Sequence, residues 1–278
     1  MSVPLLYETH THTRLCNHAE GECEDYARVA RERGLKGVLI TCHNPLPDGI
    51  AASTRMEPDQ FDEYLSIVRR ARKSCADIAE VRLGIECDYM PGLEPFLTAQ
   101  LRIAPFEYVL GAIHPQLPEY GKRYFHDDDL AFQKGYFSHL ADMAETGLFD
   151  TIVHPDIVKN MYPDAWRLEC VLDHVCRCLD RIALTGVAME LNTSGVNKSI
   201  PEMNPSETIL SQMHARAIPV VIGADAHVPE RVGDGYETAL GLIAKVGYTH
   251  ASFFLERQRH EVAVADALAS LQPVEAAG

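Results

Sequence analysis

The sequence of 278 residues contains no run of 18 apolar residues and no CxxC pair of cysteines. Without a long apolar run, neither a membrane-spanning helix nor a membrane partner is expected. The first residues, MSVPLLYETHTH, also lack the basic segment and the apolar stretch of a secretion signal, so we expect a cytoplasmic protein. The eight cysteines are then expected to be reduced, since an α/β chain of this size needs no disulfides.

Positive charge is also scarce. Twenty-five basic residues stand against forty acidic ones, which gives a formal net charge of -15 at pH 7. Such a charge repels phosphate backbones, so a nucleic-acid partner is not expected. No linker or low-complexity segment divides the chain, and its 46% hydrophobic composition can form one full core. We therefore predict a single domain over residues 1–278.

Seven short β-branched or apolar runs each end on a metal-binding or carboxamide side chain. These runs are YETHTH (7–12), GVLITCH (37–43), VRLGIE (81–86), YVLGAIH (108–114), DTIVH (150–154), VAMELN (187–192) and VVIGADAH (220–227). The segments between them are long enough for helices, so the chain alternates strand and helix. This alternation predicts an α/β barrel of parallel strands, in which functional groups follow the strands and converge over one mouth.

Helices are predicted between the strands from apolar spacing and from helix-end signals. The predicted helices are 22–35, 56–75, 92–102, 128–147, 166–184, 205–216 and 235–246, with a terminal helix at 261–271. The segment 115–129 has no clear periodicity and is predicted to be a long loop. Long loops at the active face often shape substrate selectivity.

Histidines and carboxylates at the strand ends predict a metal site. His10 and His12 lie two residues apart, as do Asp225 and His227, so each pair projects from one face of an extended strand. The candidate ligands are His10, His12, His18, His43, Glu86, His114, His154, Asp225 and His227. Imidazoles and carboxylates without thiolates are typical of hydrolytic sites that bind zinc, iron or manganese. Nine ligands are too many for one ion, so two or three are expected.

The same segments resemble the motifs of the polymerase and histidinol phosphatase (PHP) superfamily, and within it the histidinol-phosphatase branch. The motifs are HTHTRLCNHAEG (10–21), TCHNPLP (41–47), GIECDYMPG (84–92), GAIH (111–114), FDTIVHPDIVKN (149–160), ELNTSG (190–195) and GADAHVPERVG (223–233). The resemblance covers nearly the whole chain. It implies a distorted (β/α)7 TIM-like barrel with three divalent transition-metal ions, which can be Zn, Fe or Mn.

The resemblance also implies how the ligands are divided among the three ions. The first ion would be bound by His10, His12, Glu86 and Asp225. The second would share Glu86 with the first and add His114 and His154. The third would be bound by His18, His43 and His227.

The activity implied by the resemblance is metal-dependent hydrolysis of a small phosphomonoester, L-histidinol phosphate, to L-histidinol and phosphate in histidine biosynthesis. An alkyl alcohol leaves poorly, so we expect a general acid, for which Asp225 and His227 are the candidates. Arg14, Lys159 and Lys198 are basic residues beside the motifs and are predicted to bind phosphate. Lys198 follows NTSG, where the family often has an arginine.

Three other interpretations stay open at the level of the sequence. The same metal chemistry could act on a nucleotide, a sugar phosphate or a cyclic phosphodiester. A non-catalytic or proofreading module is less compatible with the length of the chain and its full ligand set. An amidohydrolase barrel usually has a carboxylated lysine or another bridge at mid-chain, a role that Glu86 takes here. The sequence does not predict the oligomeric state.

Overall fold

The structure is a computed structural model that describes residues 3–272. Within this range it has nine strands, hydrogen-bonded in chain order. They are β1 (Tyr7–Thr11), β2 (Gly37–Ile40), β3 (Glu80–Asp88), β4 (Tyr108–Ala112), β5 (Thr151–Ile152), β6 (Ala188–Asn192), β7 (Val220–Gly223), β8 (His250–Leu255) and β9 (Gln258–Ala263). Neighbouring strands from β1 to β8 are parallel, and β8 and β9 form an antiparallel pair.

Helices connect the parallel strands at the predicted places. In the described residues they are α1 (Cys23–Glu32), α2 (Phe61–Ser74), α3 (Glu94–Gln100), α4 (Pro118–Tyr124), α5 (Asp129–Glu145), α6 (Leu168–Thr185), α7 (Glu207–Ala215), α8 (Tyr236–Val246) and α9 (Val264–Ser270). Local sequence explains their ends: α1 begins with a capping box between Glu22 and Asp25, and α6 ends at Gly186 in the left-handed conformation. No helix in this part of the chain is long and apolar enough to cross a membrane.

Two predicted segments differ from the structure. Residues 118–124, predicted as part of a loop, form α4, because a helix of seven residues is too short to show an apolar period. Residues 261–263, predicted as the start of the terminal helix, belong to β9, which pairs with β8 before α9 begins. The seven predicted parallel strands are confirmed, while β8 and β9 were not predicted.

The strand ladder curves into a distorted barrel, as predicted. It is not closed by a full strand pairing: β1 meets β7 through one parallel bridge between Thr11 and Ala226. At this seam His12 N donates to Ala226 O and Ala226 N donates to His10 O, both at 2.9 Å. The seam brings residues from the two ends of the sequence side by side.

Two hydrophobic clusters surround the strands. Alternate residues of β4, Tyr108, Leu110 and Ala112, pack with residues of β1, β2, β6, β7 and β8 in the smaller cluster, which fills the inside of the barrel. The larger cluster lies between the strands and the helices. Strands that are buried on both faces consist of continuous apolar runs, as GVLI in β2 does. Because both faces of the strands are covered by apolar residues, the polar side chains of the site lie at the carboxyl ends of the strands.

Candidate metal centre

Glu86 is the central residue of a histidine cluster at the carboxyl ends of the strands. Its carboxylate is buried, and its two oxygens lie 2.7–3.6 Å from nitrogens of five imidazoles. The five histidines, in order of increasing distance, are His43, His154, His10, His12 and His114. They reach Glu86 because β1 to β5 are parallel and their carboxyl ends meet at the same mouth of the barrel.

The first predicted ligand group lies across the barrel seam. His12 Nε2 is 3.1 Å from Asp225 Oδ1, and His10 Nε2 is 3.7 Å from the same oxygen. Ligand atoms of His10, His12 and Glu86 all lie within 4.8 Å of one another. The sequence pairs HTH and DAH therefore meet as their spacing predicts.

The two other predicted groups are also brought together. His114 and His154 contact the same oxygen of Glu86, at 3.6 and 3.1 Å. His18 lies nearer the surface, with its Nε2 2.9 Å from His227 Nε2. The rings of His18 and His43 are 5.5 Å apart between centroids. All nine predicted ligands thus converge, while their division among separate ions stays a prediction.

The carboxylates hold protons on two of the imidazoles. Burial alone would lower the pKa of His10, but the carboxylates of Glu190, Asp225 and Glu86 outweigh it and raise that pKa well above its usual value. His12 is also buried, yet its hydrogen bond to Asp225 helps to raise its pKa to about 9. A divalent ion bound between these groups would replace the protons.

The imidazoles of His43 and His227 are kept neutral, the form that binds metal. Burial and the nearby Arg55 guanidinium hold the pKa of His43 well below its usual value. Burial and the neighbouring His12 lower the pKa of His227 to about 3. Burial would raise the pKa of Glu86, but the imidazoles around it, with the protonated His10 among them, outweigh burial and hold that pKa well below its usual range.

Several buried polar atoms of the cluster have no hydrogen-bond partner among the described residues. They include His10 Nε2, His12 Nδ1, His43 Nδ1, His154 Nδ1 and Glu86 Oε2. The short contact between His43 and Glu86 lacks hydrogen-bond geometry, which is why both atoms remain unpaired. Unpaired buried polar groups are costly unless a ligand satisfies them. The donor set therefore fits the divalent ions expected from the sequence.

Two further carboxylates, not identified from the sequence, orient metal-ligand candidates. Glu190 in β6 accepts from His10 Nδ1 at 2.8 Å through Oε1 and from His154 N at 2.9 Å through Oε2. A Cβ at position 223 would lie 2.2 Å from Glu190 Oε1, so only glycine leaves room for this contact. Asp88 Oδ1 is 2.5 Å from His114 Nδ1. Such outer carboxylates fix the ring orientation of metal-binding histidines.

Arg55 is a buried cation at the cavity that the sequence did not identify. Its guanidinium forms a two-point ion pair with Asp88, at 2.5 and 2.9 Å. Its Nη2 also lies 3.1 Å from His114 Nδ1. Arg55 therefore neutralises Asp88 and supports the placement of His114.

Backbone strain accompanies two of the candidate ligands. His154 and Asp225 have φ values of 32° and 50°, in the left-handed region that non-glycine residues seldom adopt. Asp225 Oδ2 is held at 3.2 Å by Ser194 Oγ. Strained positions of this kind cluster at functional sites, where the surrounding structure enforces them.

The cluster forms the floor of a cavity of about 630 Å³. Its wall is made by the segment from Gly49 to Arg55 on one side and by Gln116, Leu117, Pro118 and Glu119 on the other. Asp225 and His227, the general-acid candidates, both line this cavity. A small organic phosphate would fit a cavity of this size.

The three predicted phosphate ligands lie in different environments. Lys198 lines the cavity, is half-buried and has no ion pair among residues 3–272. Arg14 is exposed and pairs with Glu22 and Glu63, away from the cavity lining. This arrangement supports a phosphate-binding role for Lys198 and does not favour one for Arg14.

Lys159 is fully buried outside the cavity lining. Its ammonium donates to Asp156, Glu202 and the carbonyl of Met203, at 3.0–3.2 Å. An ammonium has three donors, and all three are used. The structure therefore does not favour the predicted contact between Lys159 and phosphate.

Known proteins resemble this chain in sequence and in fold. A family model described as the PHP domain matches residues 8–194. A probable histidinol-phosphatase of Deinococcus radiodurans is 33% identical over 257 residues, which cover 89% of this chain and 96% of that protein. The histidinol-phosphatase of Bacillus subtilis is 23% identical over 260 residues, covering 83% and 97%.

A solved structure has the same architecture. The crystal structure of histidinol phosphate phosphatase from Lactococcus lactis, complexed with zinc, L-histidinol and phosphate, matches with a TM-score of 0.76 at 16% identity. The match covers 92% of this chain and 98% of that chain. At this level of identity the likeness shows a shared fold.

Proposed function

The chain belongs to the PHP domain family, and on that premise we propose that it is a metal-dependent phosphatase that hydrolyses L-histidinol phosphate to L-histidinol and phosphate. The observation that carries the proposal is the convergence of Glu86 and eight other imidazole and carboxylate side chains at the bottom of one cavity, six of which line it. Relatives named histidinol-phosphatase, matched over most of their length, support the choice of substrate.

Three divalent ions fit the proposed ligand groups. His10, His12, Glu86 and Asp225 would hold one, Glu86, His114 and His154 the second, and His18, His43 and His227 the third. Zinc in the Lactococcus relative supports zinc as one identity, beside iron and manganese. When bound, the ions supply an activated water and neutralise charge on the phosphoryl oxygens.

The side chains of the chain perform the remaining tasks. Lys198 attracts the phosphate into the cavity as a point charge. Glu190 and Asp88 keep the imidazoles of His10 and His114 in a fixed orientation. An alkoxide is a poor leaving group, so the alcohol oxygen needs a proton as the phosphorus–oxygen bond breaks. The low pKa of Asp225 and of His227 leaves both unprotonated before the reaction, so one of them would take a proton from the attacking water and pass it to the alcohol oxygen.

A substrate panel and metal removal test this function. The purified protein is assayed with L-histidinol phosphate, a nucleoside monophosphate, a sugar phosphate and a cyclic phosphodiester, before and after chelation. We expect L-histidinol phosphate to have the highest kcat/KM. Activity should vanish on chelation and return with a divalent transition metal, because no side chain of the site replaces the ions.

Elemental analysis of the same samples counts the ions per chain. Turnover that persists in metal-free protein would contradict the proposed chemistry. Hydrolysis of another ester faster by orders of magnitude would keep the chemistry and replace the substrate.

A further inference from the structure

The wall of the cavity has two charged side chains without an ion pair in the described part of the chain. One is Lys198, and the other is Glu119 in α4. A third charged wall residue, Arg55, is neutralised by Asp88. The free charges on the wall are therefore one cation and one anion.

Glu119 is in an unusual position for a carboxylate. Its Oε2 is buried and has no hydrogen-bond partner within residues 3–272, although the residue lines the cavity. A buried carboxylate oxygen without a partner is costly, and a bound cation would satisfy it. The neighbouring cation Arg123 lies over the ring of Tyr124 and forms no ion pair with Glu119.

The backbone beside Glu119 is well anchored. Pro118 begins α4, and Tyr120 is buried, with its hydroxyl 2.7 Å from His139 Nδ1. The ring of Tyr120 also packs against Tyr124 and Phe132. Glu119 is thus presented to the cavity from a fixed turn, which reduces the entropy lost when it binds a ligand.

L-Histidinol phosphate is a zwitterion with an anionic phosphate and a primary ammonium two carbons from the ester oxygen. We propose that Glu119 binds this ammonium and makes the site selective for cationic amino-alcohol phosphates. This inference rests on the proposed function and names the side chain that would recognise the organic half of the substrate.

The charge pattern of the wall also orients the ligand. Lys198 and the metal floor attract the phosphate, whereas Glu119 repels it and attracts the ammonium. A phosphate ester without a cationic group leaves Glu119 unpaired in the complex. A site with an unpaired buried group rejects such a ligand.

The test compares Glu119→Gln with the wild-type protein on two substrates. One is L-histidinol phosphate, and the other is the phosphate ester of imidazolyl-propanol, which lacks only the amine. The wild-type protein should prefer the amine substrate by about 10- to 100-fold in kcat/KM, the range expected for a charge-assisted hydrogen bond. The variant should lose most of this preference and retain turnover of the ester without the amine.

Glu169→Gln is the matched control. Glu169 occupies the second position of α6, as Glu119 does in α4, but it is exposed and outside the cavity lining. Both substitutions remove a charge from the first turn of a helix, and only Glu119→Gln should change the ratio of the two substrates. Product inhibition gives an independent readout: the inhibition constant of L-histidinol should rise in Glu119→Gln, while that of inorganic phosphate should not.

The outcomes separate this inference from the proposed function. If the wild-type protein does not hydrolyse L-histidinol phosphate, both the proposed function and this inference are overturned. If Glu119→Gln keeps the wild-type preference for the amine substrate, only the role of Glu119 is overturned. The same holds if the variant loses kcat/KM equally on both substrates. If Glu119→Gln does not fold, Glu119→Asp keeps the charge on a shorter side chain and should show a reduced preference; an unchanged preference contradicts the inference.

Discussion

The floor of the cavity and its wall differ in how their side chains are held. On the floor, His10 is fully buried and is fixed by Glu190 from a neighbouring strand. On the wall, Lys198 and Glu119 come from a strand–helix connection and a short helix, and neither has an ion pair in the described residues. The floor suits ions held in fixed geometry, while Lys198 and Glu119 on the wall are free to bind a ligand.

The largest effect on activity is expected from Glu86→Ala, which removes the central carboxylate of the histidine cluster. The variant removes the carboxylate that contacts five imidazoles, so the two ions that we propose share it should be lost. Metal catalysis contributes several kcal/mol, so kcat/KM should fall by about 10³-fold or more. Elemental analysis and kinetics on L-histidinol phosphate measure both effects.

Three ions per chain in Glu86→Ala would contradict the assignment of Glu86 as the bridge. A loss of activity with full metal content would instead assign Glu86 a role in the chemical step.

A smaller effect is expected from Glu190→Gln, which keeps the shape of the floor and removes one orienting charge. His10 would lose the carboxylate that fixes its ring, so affinity for the metal should fall by about 10- to 100-fold. Competition with a chromogenic chelator measures this affinity. Thermal unfolding of the metal-free variant is the control for folding.

Unchanged metal affinity in Glu190→Gln would show that the orientation of His10 is set by packing alone. The side chains on the floor would then differ from those on the wall in their burial and not in their hydrogen bonds.

The smallest effect is expected at the wall. Lys198→Ala removes a half-buried charge without a protein partner, so the KM for L-histidinol phosphate should rise by about two- to fivefold. Arg14→Ala is the control, because Arg14 pairs with Glu22 and Glu63 outside the cavity lining. Steady-state kinetics at several salt concentrations measure both variants.

If KM rises as much in Arg14→Ala as in Lys198→Ala, both changes come from the overall charge of the protein and not from a contact with phosphate. Unaltered kinetics in Lys198→Ala would contradict a role of Lys198 in binding phosphate.

The floor could be predicted from sequence because strand geometry is regular. A ligand at the end of a parallel strand must face the mouth, and HTH and DAH place two side chains on one face. Glu190 lies in one of the predicted strands but was not identified, because its partner His10 is 180 residues away. A charged residue inside a buried strand was the available signal.

The wall could not be predicted in the same way. Arg55 lies in a connection without periodicity, and α4 is too short to show one. Lys159 was placed at the phosphate because it lies beside a motif, yet its side chain is bound by Asp156 and Glu202. Proximity in sequence does not fix the direction of a long side chain.

The single bridge between β1 and β7 has a consequence for folding. His12 and Asp225 are 213 residues apart, so bringing them together costs loop-closure entropy, which the backbone and side-chain hydrogen bonds of the seam must offset. An ion bound by His10, His12 and Asp225 would act as a cross-link between the two ends of the barrel. The free energy of metal binding would then be part of the free energy of folding. The same ligands would stabilise the barrel and take part in catalysis.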